Sequence, residues 1–372
     1  MAMSGRERLL RSFRREPVDR RAVSPFIHAN FVRAFQGDPQ ADLIQGTIEV
    51  YRHFGFDLMH RNVNVRPDET ALRSPAWTPR VTARREGNAT YVTTTITTPE
   101  RVLTQVVRQE DLSPYHRVKA QVEWFIKEEA DFHQFVRYQP PVPALDLADL
   151  RRAAEAVGEE GITAPWVSGV FNTLADYRKL DDLLVDAVMA PEFYAGMARY
   201  FLERQKACLA QVVRAGVDAL SYAGNIAGGS LVGPDFFRRY VLVYERELIQ
   251  ACQGAGVPVL YHNCGDARNM IEVYNELGMA AYESIAEPPY ADNDLADAVA
   301  RFSKDIALIG NLDQISFLRT ASPDEVWREA RRKLAIVGER RGFILGTSDF
   351  LEEGTPFENL FALAEAVKAS GE

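Results

Sequence analysis

Short apolar runs alternate with helical stretches along the second half of the chain, and this alternation constrains the fold more than any other feature. Near-continuous apolar strands are typical of a parallel sheet that is covered on both faces. The pattern therefore predicts an α/β protein made of repeated strand–helix units, either a barrel or a doubly wound sheet. The predicted strands are Ala219–Ala223, Pro258–His262, Ala280–Ile285, Ile306–Gly310 and Gly342–Gly346.

The first half of the chain contains three further candidate strands and an interruption. Two segments with strand character, Arg80–Arg84 and Thr90–Thr97, flank Gly87-Asn88, which is a typical turn pair. We expect a β-hairpin to project from the sheet at this point, within a single domain over residues 1–372. The candidate strands of this half are Ala22–His28, Phe56–His60 and Ala164–Phe171.

Composition excludes several classes of function. The chain has 372 residues, and 43 Lys and Arg against 52 Asp and Glu give a net charge of −9, which opposes nucleic-acid binding. No segment approaches the run of about 18 apolar residues that a membrane-spanning helix needs. Three cysteines are too few for a disulfide framework, so we expect a reducing, cytoplasmic location.

The segment Tyr261-His-Asn-Cys-Gly-Asp266 follows an apolar run and precedes a predicted helix. Side chains two positions apart in an extended backbone point to the same side, so His262 and Cys264 can converge on one point. Imidazole nitrogen and thiolate sulfur are ligands that zinc prefers. These two residues therefore predict half of a metal site at the carboxyl end of a strand.

Residues at the ends of other strands can complete this site, because all strands of a parallel barrel deliver their carboxyl ends to the same face. Asp349 is the preferred third ligand, since it follows the last predicted strand and a carboxylate oxygen can bind zinc. Other residues in comparable positions are Glu283, Asn311, Asp313 and Ser348.

Two kinds of chemistry are compatible with this arrangement. With zinc, the site would bind a substrate thiol as its thiolate, which suits methyl transfer to sulfur. Without metal, Asp218, Glu283 or Asp313 would act on a carboxylated substrate. Candidate contacts to the substrate are His28, His60, Tyr222, Asn225 and Asn311, all near predicted strand ends or in the loops that follow them.

Several segments, in this order and spacing, resemble the uroporphyrinogen decarboxylase superfamily. The resemblance covers nearly the whole chain and implies a (β/α)8 TIM barrel with its site at the carboxyl ends of the strands. The segments are Arg6-Glu-Arg-Leu-Leu, Glu16-Pro-Val-Asp-Arg-Arg, Thr97-Thr-Pro-Glu-Arg-Val-Leu-Thr, Ala215-Gly-Val-Asp-Ala-Leu, Val257-Pro-Val-Leu-Tyr-His-Asn-Cys-Gly, Glu287-Pro-Pro, Ile309-Gly-Asn-Leu-Asp, Thr320-Ala-Ser-Pro-Asp-Glu-Val and Gly354-Thr-Pro-Phe-Glu-Asn-Leu.

The match is nearer to one branch of this superfamily than to the other. Porphyrinogen decarboxylases carry the segment PxWxMRQAGR, and its arginine pair is missing from Ser24-Pro-Phe-Ile-His-Ala-Asn-Phe-Val-Arg33. In the cobalamin-linked methyltransferases, a His-x-Cys pair and a later Cys bind zinc. His262 and Cys264 match the pair, whereas Ser348 or Asp349 stands in place of the later Cys.

Three hypotheses follow from the residues and the resemblance. The first is a methyltransferase that moves a methyl group between a small substrate, such as a thiol or an aromatic methyl ether, and a corrinoid on a partner protein. The second is a cofactor-free decarboxylase of a carboxylated ring compound, and the third is a non-catalytic module that binds a tetrapyrrole or corrinoid. The family also implies a homodimer.

Overall fold

A closed ring of parallel strands forms the inner layer of the fold. The computed structural model describes residues 3–68 and 70–369. The hydrogen-bonded order of the strands is β1-β15-β14-β13-β12-β11-β10, with β2 paired to β9. The strands of the ring are β1 (Ala22–Val23), β2 (Leu58–His60), β9 (Gly161–Thr163), β10 (Trp166–Ser168), β11 (Leu220–Ala223), β12 (Val259–Asn263), β13 (Ala281–Ser284), β14 (Ala307–Leu312) and β15 (Phe343–Thr347).

Two local features close this ring. β9 and β10 are one barrel strand interrupted around Pro165, because the amide of Ser221 still donates to the Pro165 carbonyl across the gap. Between β1 and β2, the amide of Asp57 donates to the Val23 carbonyl at 2.8 Å. The ring therefore has eight strands, and the predicted (β/α)8 TIM barrel is confirmed.

Helices surround the ring and pack on its outer face around one continuous apolar core. Ser322 and Glu325 form the capping box that their spacing predicts, at the start of the longest helix after β14. The helices are α1 (Gly5–Phe13), α2 (Ala29–Gln36), α3 (Leu43–Phe54), α4 (Glu129–Tyr138), α5 (Ala148–Val157), α6 (Val170–Tyr177), α7 (Leu180–Met189), α8 (Pro191–Arg214), α9 (Gly233–Phe236), α10 (Leu242–Gly254), α11 (Ile271–Tyr274), α12 (Leu295–Arg301), α13 (Phe317–Thr320), α14 (Pro323–Val337) and α15 (Phe357–Lys368).

The inside of the barrel is filled by every second residue of each strand. Small alanines and a few larger apolar side chains form a separate cluster there, and Leu9 and Phe13 of α1 enter it from the amino-terminal end. This end of the barrel is thus plugged, and the open mouth lies at the carboxyl ends of the strands. The residues of the cluster that lie in the barrel strands or next to them are Ala22, Met59, Ile162, Ala164, Ala219, Leu260, Ala281, Ala307, Ile309 and Ile344.

The insertion in the first half is larger than the predicted hairpin. The expected pair exists as β4 (Thr78–Glu86) and β5 (Ala89–Thr97), but β6 (Val102–Asp111) and β7 (Arg117–Glu123) extend it to a four-stranded antiparallel sheet. Polar residues alternate through these later strands because the sheet is only partly buried, so the strands lack the apolar runs that indicate a barrel strand. Two short strands, β3 (Arg66–Pro67) and β8 (Leu145–Asp146), pair beside it.

Two other predictions of local structure need correction. The strand predicted at Ala22–His28 ends at Val23, and that predicted at Ala164–Phe171 ends at Ser168, where α6 follows almost at once. Prolines at positions 25 and 165 remove backbone donors from these strands.

Among the described residues, no helix combines the length and apolar character needed to cross a bilayer. The assignment of one domain to residues 1–372 stays a prediction.

Candidate functional site

His262, Cys264 and Asp349 meet at the open mouth of the barrel. His262 is the penultimate residue of β12, Cys264 directly follows that strand, and Asp349 follows β15. One nitrogen, sulfur or oxygen atom of each residue lies within 4.8 Å of the corresponding atoms of the other two. His262 Nε2 and Asp349 Oδ1 are 3.9 Å apart. The spacing within β12 and the delivery of strand ends to one face explain this convergence.

Glu283 and Arg61 hold the imidazole from behind. His262 Nδ1 lies 2.9 Å from Glu283 Oε2, and because a carboxylate accepts, Nδ1 carries the hydrogen. Arg61 in turn donates both terminal nitrogens to Glu283, at 3.1 and 2.5 Å. This series of hydrogen bonds fixes the His262 ring so that Nε2 faces Cys264 and Asp349, which is the orientation that a metal-binding histidine needs.

Aromatic rings enclose the same histidine. Phe26 and Trp166 contact the His262 ring edge-on, with centroids 6.0 and 5.5 Å away. The Arg61 guanidinium lies over the Phe26 ring at 4.8 Å. The hydrogen-bonded side chains of His262, Glu283 and Arg61 are therefore buried among apolar groups. Their charges are screened less there than at the surface.

Burial and neighbouring charged groups shift the pKa values of His262 and Glu283 in opposite directions. Burial of the His262 ring opposes its charge, but the hydrogen bonds to Cys264 and Glu283 and the negative charge of Glu283 outweigh it and raise the pKa of His262 to about 10. Burial of Glu283 raises its pKa, but the charge of Arg61 and the hydrogen bond from His262 prevail and lower it to about 2. These interactions favour the protonated form of His262, so binding of a metal at Nε2 would release a proton.

The three converging residues fit a zinc ion. Tetrahedral zinc with bonds of about 2.0–2.3 Å places its ligand atoms about 3.3–3.8 Å apart. The 3.9 Å between His262 and Asp349, and the 4.8 Å that bounds the whole group, require only a small contraction. Nitrogen, sulfur and oxygen from three side chains leave one position for a substrate, as catalytic zinc sites require.

A cleft of about 380 Å³ opens beside Cys264 and Asp349. Ser348 and Asn311 also line it. Asn311 is 2% exposed, and its amide donates to the Ile285 carbonyl at 3.2 Å. Its Oδ1 atom is buried without a hydrogen-bond partner in the described part of the chain. A ligand with a donor group in this cleft would satisfy that oxygen.

Asp313 lines the cleft, but its carboxylate is already engaged. Its Oδ1 accepts from the amides of Ile315 and Ser316, and its Oδ2 accepts from the Phe317 amide and the Ser316 hydroxyl. Burial raises the pKa of Asp313, but these hydrogen bonds outweigh it and lower the pKa. Asp313 thus accepts hydrogen bonds at the start of α13 while lining the cleft, and its catalytic role stays a prediction.

Asp218 lies at the other end of the barrel, so its predicted role at the mouth is wrong. It precedes β11 and therefore belongs to the amino-terminal face. There it forms an ion pair with Arg6 of α1 at 2.5 Å and accepts from the Thr163 amide at 2.9 Å. Asp218 ties α1 to the barrel. Glu283, by contrast, lies beside the mouth in contact with His262 and Arg61, and its catalytic role stays a prediction.

His60 and Tyr222 point away from the mouth, which corrects both predicted substrate contacts. Each is 0% exposed. His60 Nε2 lies 3.2 Å from the Ile44 carbonyl of α3, and the Tyr222 hydroxyl donates to Glu245 of α10. Both side chains point to the outside of the barrel from their strands, so they pack beneath the surrounding helices.

His28 and Asn225 remain near the mouth. The His28 ring packs on Phe350, directly after Asp349, with centroids 5.3 Å apart. Asn225 is exposed in the loop after β11, and its Oδ1 accepts from Asn172 at 2.8 Å. Their contact with a substrate stays a prediction.

Arg61 is the residue that the sequence analysis missed. It is 3% exposed and follows β2 directly. The signal was present in the parity of the strand, because Met59 faces the barrel interior and Arg61 is two positions further on. His60, between them, necessarily faces outwards.

Comparison with known proteins finds relatives that match part of this chain. Methylcobamide:CoM methyltransferase MtbA of Methanosarcina acetivorans is 24% identical over 159 residues, which are 42% of this chain and 43% of that protein. Methylated-thiol–coenzyme M methyltransferase of Methanosarcina mazei is 25% identical over 153 residues, 41% of this chain and 38% of the relative. The matched stretches thus span less than half of these curated relatives.

A solved structure and a family model cover more of the chain. A methyltransferase from Methanosarcina mazei superposes with a TM-score of 0.72 over 99% of both chains, and its 16% identity makes this a likeness of fold. The family model described as uroporphyrinogen decarboxylase (URO-D) matches residues 116–370, which include β9 to α15 and all three converging side chains. The chain belongs to the uroporphyrinogen decarboxylase family.

Proposed function

We propose that the protein is a methyltransferase that moves a methyl group between a small thiol and a corrinoid carrier, at a zinc ion held by His262, Cys264 and Asp349. The observation that carries this proposal is the convergence of these three side chains within 4.8 Å at the mouth. The partly matched relatives support the reaction class, since their names describe methyl transfer involving methylcobamide, methylated thiols and coenzyme M.

Each residue around the proposed zinc site has its own role. When bound, zinc would lower the pKa of a substrate thiol so that it reacts as a thiolate. Cys264 and Asp349 contribute negative charge, and His262 contributes its Nε2 lone pair. Glu283 holds the hydrogen on Nδ1 and so keeps the ring in the ligating tautomer. Asn311 offers its unpartnered oxygen to a donor group of the substrate in the cleft.

The decarboxylase hypothesis receives less support from the same geometry. Of the three acids considered for it, Asp218 lies at the opposite end of the barrel, and Asp313 accepts hydrogen bonds at the start of a helix. Glu283 is locked in a two-nitrogen contact with Arg61. No acid of this set is placed to exchange a proton with a substrate carboxylate, so we propose one function only.

The first test combines metal analysis with a methyl-transfer assay. Purified protein is expected to bind one zinc ion and to transfer methyl from methylcobalamin to coenzyme M or another small thiol. His262→Ala and Cys264→Ser should lose both properties, whereas Cys208→Ser, remote from the mouth, should keep them. An aromatic methyl ether, tested as methyl donor to reduced cobalamin, distinguishes the other substrate class. Equal activity of the Cys264→Ser variant and the unchanged protein would refute the proposal.

A second variant tests the hydrogen bond between Glu283 and His262. Glu283→Gln keeps the shape of the side chain but removes its charge, so the affinity for zinc should fall about 10–100-fold. Competition with a chromophoric chelator measures this change, and circular dichroism checks that the barrel is retained. Glu276→Gln, in a surface pair with Arg238, is the matched control. An unaltered affinity in Glu283→Gln would remove Glu283 from the site.

A further inference from the structure

A second cleft lies between the four-stranded sheet and α2. Its volume is about 420 Å³. His28 precedes α2, and Asn30 and Arg33 lie on that helix. His116 lies in the turn between β6 and β7, and Lys119 lies on β7. The function proposed above does not use this cleft.

Positive charge dominates this cleft. Asp111 and Arg117 also line it, but they satisfy each other through two hydrogen bonds of 2.6 and 3.1 Å. Arg33 and Lys119 have no carboxylate partner anywhere in residues 3–68 or 70–369. Two cations without counter-charges therefore face one pocket, in a protein whose net charge is −9.

A buried amide in the same cleft lacks an acceptor. Asn30 is 2% exposed, and its Oδ1 accepts from His28 Nδ1 at 3.2 Å. Its Nδ2 donor is buried and has no hydrogen-bond partner within the described ranges, and the same holds for Nε of Arg33. An unsatisfied buried donor is costly unless a ligand or water completes it. A negatively charged acceptor in the cleft would satisfy both unpartnered donors, Asn30 Nδ2 and Arg33 Nε.

We propose that this cleft binds an oxyanion group of a small molecule, a carboxylate, phosphate or sulfonate. Asn30 and Arg33 donate hydrogen bonds to its oxygens, and Lys119 adds positive charge from the opposite wall. Charge-assisted hydrogen bonds from a guanidinium are among the stronger polar contacts in proteins.

The position of the cleft indicates which molecule carries this group. Phe350 packs against His28 and His116, with centroids 5.3 and 5.8 Å away, and it is the neighbour of Asp349. A molecule held here by its anionic end is thus separated from the mouth by one aromatic side chain. The anionic group therefore belongs to the substrate of the mouth, an assignment that rests on the proposed function, whereas binding of the anion itself does not.

Calorimetric titration with phosphate, acetate and methanesulfonate at low ionic strength tests the site. At least one anion should bind saturably, and the tightest of the three identifies the group. Arg33→Gln should weaken this binding about tenfold or more, and Lys119→Gln should weaken it less. Arg80→Gln, on β4 of the same sheet but outside the cleft, should bind as the unchanged protein does.

Two results would overturn the proposal: no saturable binding of any of the three anions, or equal loss of binding in Arg33→Gln and Arg80→Gln. Both arginines are partly or fully exposed, and thermal unfolding checks that the variants fold. Cys264→Ser should bind the anion as well as the unchanged protein does. A failed metal site and a failed anion site are therefore separate outcomes.

Discussion

The parity of a residue within its barrel strand decides whether its side chain reaches the mouth. Leu260 and His262 face inwards and Tyr261 faces outwards, because successive side chains of a strand alternate. Met59 and Arg61 follow the same rule, which leaves His60 outside. Proximity to a strand end is thus an incomplete criterion for a site residue, as the corrected positions of His60 and Tyr222 demonstrate.

The outward position of His60 makes the stability of the protein depend on pH. Burial lowers the pKa of His60 to about 4, although the hydrogen bond to the Ile44 carbonyl acts in the opposite direction. Since that carbonyl only accepts, Nε2 carries the hydrogen of the neutral ring. Between the unfolded pKa of about 6.5 and the folded value, the unfolded chain binds more protons than the folded protein. Stability therefore falls as the pH falls through this window.

We expect this group to remove about 3 kcal/mol from the free energy of unfolding between pH 7 and pH 4. Urea unfolding at several pH values measures the loss. His60→Gln cannot titrate, so its stability should decline less steeply over the same range. His133→Gln replaces a histidine whose side chain is 64% exposed and should leave the slope unchanged. Parallel curves for His60→Gln and the unchanged protein would contradict the prediction.

The strands and helices of the second half could be predicted from the sequence, because apolar runs and turn residues mark them directly. β12, β13 and β15 begin and end within about two residues of the predicted bounds, and the predicted convergence of His262, Cys264 and Asp349 depended on them. The first half was harder. Its barrel strands are only two or three residues long, and prolines interrupt them, so local pattern carries little signal there.

The ring closes at β1 and β2 through one backbone hydrogen bond and a set of side-chain contacts rather than through a long ladder. Asp57 accepts from the Val23 amide at 2.8 Å and pairs with Arg8 of α1 at 2.5 Å and with Arg20 at 2.8 Å. Arg8 also pairs with Asp19 at 2.8 Å. Such a network of distant charges has no signature in local sequence, which is why the closure could not be foreseen.

Removal of Arg8 should therefore loosen this junction. Arg8→Met leaves the buried Asp57 with one cation fewer, and we expect a loss of about 3 kcal/mol in the free energy of unfolding. Arg14→Met changes a side chain of the same region that is 60% exposed and should cost less than about 0.5 kcal/mol. Chemical denaturation of both variants measures the difference. Equal stability of the two would show that the ion pairs of Asp57 do not hold the ring closed.

The mouth joins parts of the chain that are far apart in sequence. The inserted sheet is tied to the rim at two places: Gln105 donates to the Asp176 carbonyl at 3.0 Å, and Ser113 donates to Glu353 at 2.9 Å. β12 and the loop after β15 supply the converging ligands from separate strands. A metal bound between these strands would cross-link the ring at its open end, as α1 plugs the other end.

Zinc should consequently stabilise the folded protein as a whole. A ligand that binds only the folded state at 100 times its dissociation constant adds about 2.7 kcal/mol to the free energy of unfolding. Unfolding curves with zinc, and after its removal by a chelator, measure this gain. Cys264→Ser and Asp349→Ala should lose most of it, whereas Cys208→Ser, on α8, should retain it. If zinc stabilised Cys264→Ser as much as the unchanged protein, the ion would bind elsewhere, and the three residues at the mouth would not form its site.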